Sequence, residues 1–178
     1  MKCILASFAL CILFAQSALA QTTGRSSQTG PTTENGYTVF TATRSIESNA
    51  SSVRIYGRAY GEKEKGCLDD SKNGFVDKLI QNANDFLDDL FKLGKNVSNE
   101  LSGAKCATVV GQLKLVIDDQ EIVVGTFRDY NFDSFEKVFD KIYGGEFNGK
   151  TVVAKLSVAT QMNRNNVWTV FIESTAPN

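Results

Sequence analysis

The chain contains no histidine. That single absence removes Ser-His and Cys-His nucleophile pairs, imidazole general bases and His-ligated zinc. No Gly-rich phosphate loop and no G-x-S-x-G elbow compensates for it. A carboxylate-pair glycosidase survives on residue type alone, yet the acidic residues are scattered and no pair is singled out by its neighbours. An excess of charge of either sign is also missing, with 19 Lys and Arg against 20 Asp and Glu. Nucleic-acid binding calls for a clustered basic excess, and an acidic solvating tail calls for carboxylate runs. The composition therefore points away from enzymes of the common hydrolase types and from nucleic acid, and it implies no cofactor.

Only one long apolar run is present, and it lies at the N-terminus. Lys2 is followed by an apolar stretch from Cys3 to Ala15 and then by Ser17-Ala18-Leu19-Ala20, whose small residues fit the A-x-A rule for cleavage before Gln21. The run is short of the roughly 20 residues a spanning helix needs, so residues 1–20 read as a secretory signal peptide, not an anchor. Export of a soluble extracellular protein, with no membrane insertion, is the expectation. Residues 21–36, QTTGRSSQTGPTTENG, hold no large apolar side chain and read as a flexible Ser/Thr-rich tail. Residues 37–178 suit a single domain.

Cysteine is scarce, four in all, and two of them leave with the leader. In an oxidising compartment the remaining Cys67 and Cys106 are expected to pair. Such a bridge closes a loop of about 40 residues, worth on the order of 4 kcal/mol in the chain-entropy model. Asn49-Ala50-Ser51 and Asn96-Val97-Ser98 are glycosylation sequons, usable at Asn49 and Asn96 in a secreted chain.

The patterning of the mature chain predicts hairpin, helix, hairpin, helix, hairpin. Stretches 37–44 and 52–60 are β-rich, the second alternating Val53, Ile55, Gly57, Ala59 against Arg54, Tyr56, Arg58, Tyr60. The polar link 45–51 reads as their hairpin turn. Phe75, Val76, Leu79, Ile80, Ala83, Phe86, Leu87, Leu90 and Phe91 follow the 3-and-4 spacing of one helix face, and a short helix can follow at 96–102. Residues 107–118 and 121–129 form a second strand pair about an Asp118-Asp119-Gln120 turn. Asp133 and Glu136 resemble a capping box, and Phe135, Val138, Phe139 and Ile142 supply a second helical stripe that ends at Gly144-Gly145. Alternating Val152, Ala154, Leu156, Val158 and Trp168, Val170, Ile172 make the last pair, with 163–166 as its loop. The expected fold is α+β: a two-layer, largely antiparallel sheet of about six strands with one long and one short helix on one face.

Two constellations have chemistry of their own. Asp69, Ser71, Asn73 and Asp77, with Gly74 between, reproduce the first half of a calcium loop, but Ile80 stands where the bidentate Glu belongs. That arrangement implies weak calcium binding at most, against a plainer role in loop and helix capping. The strand face Arg54, Tyr56, Arg58, Tyr60 interleaves cations and aromatics, a combination that stacks sugars or bases and pairs with acidic groups. A solvated strand face has the same look.

Glu121-Ile122-Val123-Val124-Gly125 and Trp168 are similar in type and order to the Q-x-V-x-G hairpin and later Trp of cystatins, the cysteine-protease inhibitors. Glu replaces Gln, and two strands precede the helix where cystatins have one. The resemblance implies protease inhibition. The residues themselves support a secreted, non-enzymatic protein that binds an extracellular partner, or a structural component of an extracellular or mineral-associated matrix, where the tail, the sequons and the calcium loop would serve assembly.

Overall fold

The computed structural model describes residues 23–65, 107–130, 132–161 and 163–176. Among these residues nine strands follow one another: β1 (Thr23–Arg25), β2 (Gln28–Glu34), β3 (Tyr37–Ser45), β4 (Ser52–Lys63), β5 (Thr108–Ile117), β6 (Gln120–Tyr130), β7 (Ser134–Tyr143), β8 (Thr151–Gln161) and β9 (Asn163–Thr175). They form two antiparallel sheets, a four-stranded one in the order β1-β9-β4-β7 and a five-stranded one in the order β2-β3-β8-β5-β6. The expected α+β fold, helices laid on one face of a single sheet, is thereby corrected to a nearly all-β sandwich. Among the described residues the sole helical piece is a 3-10 turn at Gly145–Phe147, which buries Phe147. The apolar stripe from Phe75 to Phe91 and the short helix at 96–102 lie outside the described residues.

The second expected helix is strand β7. Phe135, Val138, Phe139 and Ile142 satisfy a helical stripe, yet Phe135 and Phe139 are four apart and so also share one side of a strand. Aromatic and β-branched side chains favour the pleated surface, and β4 offers an open edge on which β7 pairs from Val53↔Tyr143 to Glu62↔Ser134. Asp133 does not cap a helix. Its carbonyl accepts the Lys63 N–H at 3.0 Å.

Of the three expected hairpins, the middle one is present. β5 and β6 meet through Asp118 and Asp119, both at positive φ (51° and 62°), the geometry of a two-residue primed turn whose twist matches that of its strands. The other two pairs cross between sheets instead: β3 pairs with β2 and β8, while β4 pairs with β7 and β9. Each cross-sheet step lets consecutive strands bury their apolar sides against each other from opposite layers. A hairpin not foreseen joins β2 to β3 through Asn35 and Gly36, at φ 51° and 82°.

The expected tail therefore supplies β1 and β2. Every residue of β2 is exposed, so its hold on the fold is through the backbone ladder and polar side chains. Ser26 Oγ accepts the Ile172 N–H at 2.9 Å and Gln28 Oε1 accepts the Val170 N–H at 2.7 Å. These two bonds satisfy β9 donors beyond the end of β1, donors that would be costly to leave buried and unpaired.

Between the sheets, Val53, Ile55 and Ala59 of β4 and Val170 and Ile172 of β9 pack with Leu113 and Leu115 of β5 and Val152, Ala154, Leu156 and Val158 of β8. Each fully buried Ile or Leu contributes about 1.5–3 kcal/mol by removal from water. Toward β6 and β7 the core turns aromatic: Phe132 and Phe135 meet edge-on with centroids 4.8 Å apart, and Phe127 lies 6.0 Å from Phe139. Gly111 makes room for these rings. A Cβ there would sit 2.6 Å from the Ser157 carbonyl and against the Phe127 ring.

Candidate functional site

Inward packing of Val53, Ile55 and Ala59 turns Arg54, Tyr56, Arg58 and Tyr60 to the outer face of the four-stranded sheet. The four residues expected to share a face do so. In register beside them stand Ile142, Asp140, Val138 and Glu136 of β7, and on the other side Glu173, Phe171, Thr169 and Val167 of β9. Arg25 of β1 lies opposite Glu173.

The cations of this face are held by acids from neighbouring strands. Arg54 donates from Nε to Asp140 Oδ1 at 2.8 Å and from Nη2 to Oδ2 at 2.6 Å, and its Nη1 reaches Glu173 Oε2 at 3.5 Å. Arg58 Nε donates to Glu136 Oε1 at 2.7 Å. The two-pronged hydrogen bond from Arg54 holds the Asp140 carboxyl below the usual carboxylate range, and the same bond raises the guanidinium's own value. At the far end of β4 the Tyr60 hydroxyl donates to Glu62 Oε1 at 2.8 Å, which lowers the Glu62 carboxyl and raises the phenol. Asn165 Nδ2 donates to the other Glu62 oxygen at 2.8 Å.

The aromatics are held as firmly. Tyr56 and Phe171 stack across β4 and β9 with centroids 4.7 Å apart and planes 13° from parallel. The Arg25 guanidinium carbon sits 3.6 Å from the Phe171 centroid. One face of Phe171 is thus covered by a cation and the other by Tyr56, which is why Phe171 is buried although it points outward. Arg54 lies 5.7 Å from the Tyr56 ring and Arg58 5.7 Å from the Tyr60 ring. Ring faces already in use are poor platforms for a sugar or a base.

Apolar surface remains open on the same face. Ile142 is 72% exposed, Val138 45% and Val167 43%. Sequence reasoning missed the first two because a helical assignment turned them toward a core. Read as a strand, 134–143 places Glu136, Val138, Asp140 and Ile142 on one side by simple alternation. That alternation was the available signal.

The remaining expected site residues are separated from this face. Asn49 is exposed in the link between β3 and β4. Cys67, Cys106, Asn96 and the calcium set Asp69, Ser71, Asn73 and Asp77 lie outside the described residues. Among the described residues no group of acidic or cysteine side chains is placed to hold a metal ion, and no helix is long and apolar enough to cross a membrane. Residues 121–125 run along edge strand β6, with a bulge between Val123 and Gly125, not across a hairpin tip. Trp168 belongs to the other sheet, 5.9 Å from Phe135 on the inward side of β9. The two halves of the cystatin-like pattern are on different sheets.

No family model and no curated protein matches the sequence. Among solved structures, the crystal structure of murine APRIL at pH 8.5 aligns with 87% of this chain and 99% of its own, at a TM-score of 0.34 and 7% identity. A superposition that loose carries no inference for this chain.

Proposed function

We propose that the protein is a secreted, non-enzymatic binding protein whose contact surface is the outer face of the four-stranded sheet. One observation carries this reading: Arg54, Arg58, Tyr56 and Phe171 are locked by their neighbours while Ile142, Val138 and Val167 are left open beside them. A face whose long side chains are already ordered loses little conformational freedom when it is covered. Apolar side chains left open on such a face gain by being covered, because burial removes their surface from water. Occupied ring faces argue against glycan or base stacking and in favour of a protein partner.

The test uses the secreted mature protein against a panel of extracellular proteins, glycans and hydrolase substrates. The expected result is binding to a protein that weakens at least about tenfold in Val138→Asp/Ile142→Asp, a loss in keeping with a charge placed at an apolar contact. Turnover of any substrate, or binding indifferent to both substitutions, contradicts the reading.

A further inference from the structure

Val39 of β3 and Val110 of β5 are each 1% exposed, although neither belongs to the core between the sheets. Alternation explains the second fact. Ala42, Leu113 and Leu156 point inward, so Val39, Val110, Gln112 and Ala159 stand on the outer face of the five-stranded sheet. The register sets them together: Val110 opposes Ala159, and Ser157 has Val39 on one side and Gln112 on the other. All four are buried. Further along the same face, Val116 of β5 and Val153 of β8 are only half-buried, and Thr43 of β3 is exposed. Val110 and Val116 share one strand, one face and the same flanking strands, so neighbours within the sheet leave a valine half open. The closed half has a further cover. The four-stranded sheet packs on the opposite side, and no third layer stands among the described residues.

We infer that the cover is the chain between β4 and β5, residues 66–106, with the apolar side chains of Phe75 to Phe91 set on this half of the face. Its two ends lie at the right place. Lys63 pairs with Asn163, whose Nδ2 donates to the Thr108 carbonyl at 2.9 Å, and Arg164 Nε donates to the Lys63 carbonyl at 3.0 Å. The chain thus leaves β4 and enters β5 side by side, two residues from Val110. Residues 66–74 alone reach about 30 Å when extended, more than enough to bring Phe75 over the patch. The other long stretch outside the described residues, 1–22, joins β1 at Thr23, opposite Thr175, on the other sheet and at the far end of β9 from Asn163. Charge agrees with the assignment. Arg128, Lys114 and Lys155 border the closed half on its own face, and residues 77–89 carry four aspartates against one lysine. Opposite charges around an apolar contact favour one docked arrangement over others. The five-stranded sheet keeps this half of its face for its own chain, and the outer face of the four-stranded sheet is left for a partner.

The test places a photo-crosslinking benzoylphenylalanine at Thr126, an exposed residue opposite Gln112 on the same face, in the full mature chain. Irradiation should join it to a peptide from residues 66–106 within one monomer. A crosslink to a second copy, a crosslink only to other parts of the chain, or none at all overturns the inference. A second arm compares hydroxyl-radical labelling of the wild type with Phe86→Asp/Leu90→Asp. The expected result is a rise of at least about threefold at Val39 and Val110, with Leu113 and Leu115 between the sheets unchanged, as for local opening. Unchanged labelling at Val39 and Val110, in a variant that keeps its β-sheet circular dichroism, overturns the inference. Should that variant lose its fold, the crosslink decides alone.

Discussion

Arg54 grips Asp140 through two parallel hydrogen bonds, 2.8 and 2.6 Å, across β4 and β7. The pair fastens a strand whose backbone, among the described residues, is bonded on one side only, and it joins residues 86 positions apart in the chain. The Asp140 carboxyl titrates below its ordinary value when folded. Its contribution to stability is therefore complete above the unfolded value of about 3.9 and fades as pH falls through the folded one. Asp140→Asn removes that dependence. Acid unfolding followed by circular dichroism should show wild-type stability falling more steeply below about pH 4 than the variant's, with a small drop in Tm for the variant at neutral pH. Parallel acid profiles would show that the pair adds nothing.

Gln28 holds β9 from outside the core. Its side-chain oxygen accepts the N–H of Val170, a fully buried residue, and its amide nitrogen donates to the Trp168 carbonyl at 3.3 Å. Gln28→Ala strands a buried donor and should cost about 1–3 kcal/mol. Urea denaturation measures it. A loss under half a kcal/mol, as for an ordinary exposed site, would mean that water replaces the glutamine.

Edge strand β7 also points Lys137 and Lys141 to the same side as the core residues Phe135 and Phe139. Lys137 Nζ lies 5.6 Å from the Phe139 ring. Charges on the inward side of an edge discourage a further strand from adding to it. Lys137→Val/Lys141→Val should leave the fold in place and raise aggregation several-fold under mild heating, measured by light scattering. Unchanged scattering would assign the protection to another feature of the edge.

The proposed export would leave chemical traces. Protein recovered from the medium of glycosylating cells should begin at Gln21, carry glycan on the exposed Asn49, and lack two hydrogens across the Cys67 and Cys106 peptides. Peptide mass spectrometry reads all three. A chain beginning at Met1, or unmodified peptides at these positions, would contradict the corresponding expectation.

The alternation of strand β4 was legible, Val53, Ile55 and Ala59 against Arg54, Tyr56, Arg58 and Tyr60, as any half-buried strand imposes, although the strand runs on to Lys63, past the expected end at Tyr60. The β5–β6 hairpin was legible too, through Asp118 and Asp119 at its turn. Strand β7 was not, because Phe135, Val138, Phe139 and Ile142 fit both the helical and the pleated period, and an open edge on β4 decided between them. β1 and β2 carry no apolar side chain, so nothing in their composition announces strands held by backbone bonds. The cross-sheet steps from β3 to β4 and from β8 to β9 were read as hairpins because short links usually join neighbours. For the site, one strand was visible and its partners were not. Asp140, Glu136, Glu173 and Phe171 reach it through pairings across most of the chain, and local spacing has no record of those.

The outer face can be tested directly by hydroxyl-radical footprinting of the protein in the fluid into which export is proposed to deliver it and after purification and dilution. The exposed Ile122, Val123 and Tyr130 of β6, on the other sheet, act as an internal reference. The account predicts that Ile142, Val138 and Tyr60 are labelled at least about threefold less in the native fluid, as expected of residues covered at a contact, while the β6 residues are unchanged. Equal labelling of both sets in both samples, or protection confined to β6, would contradict it.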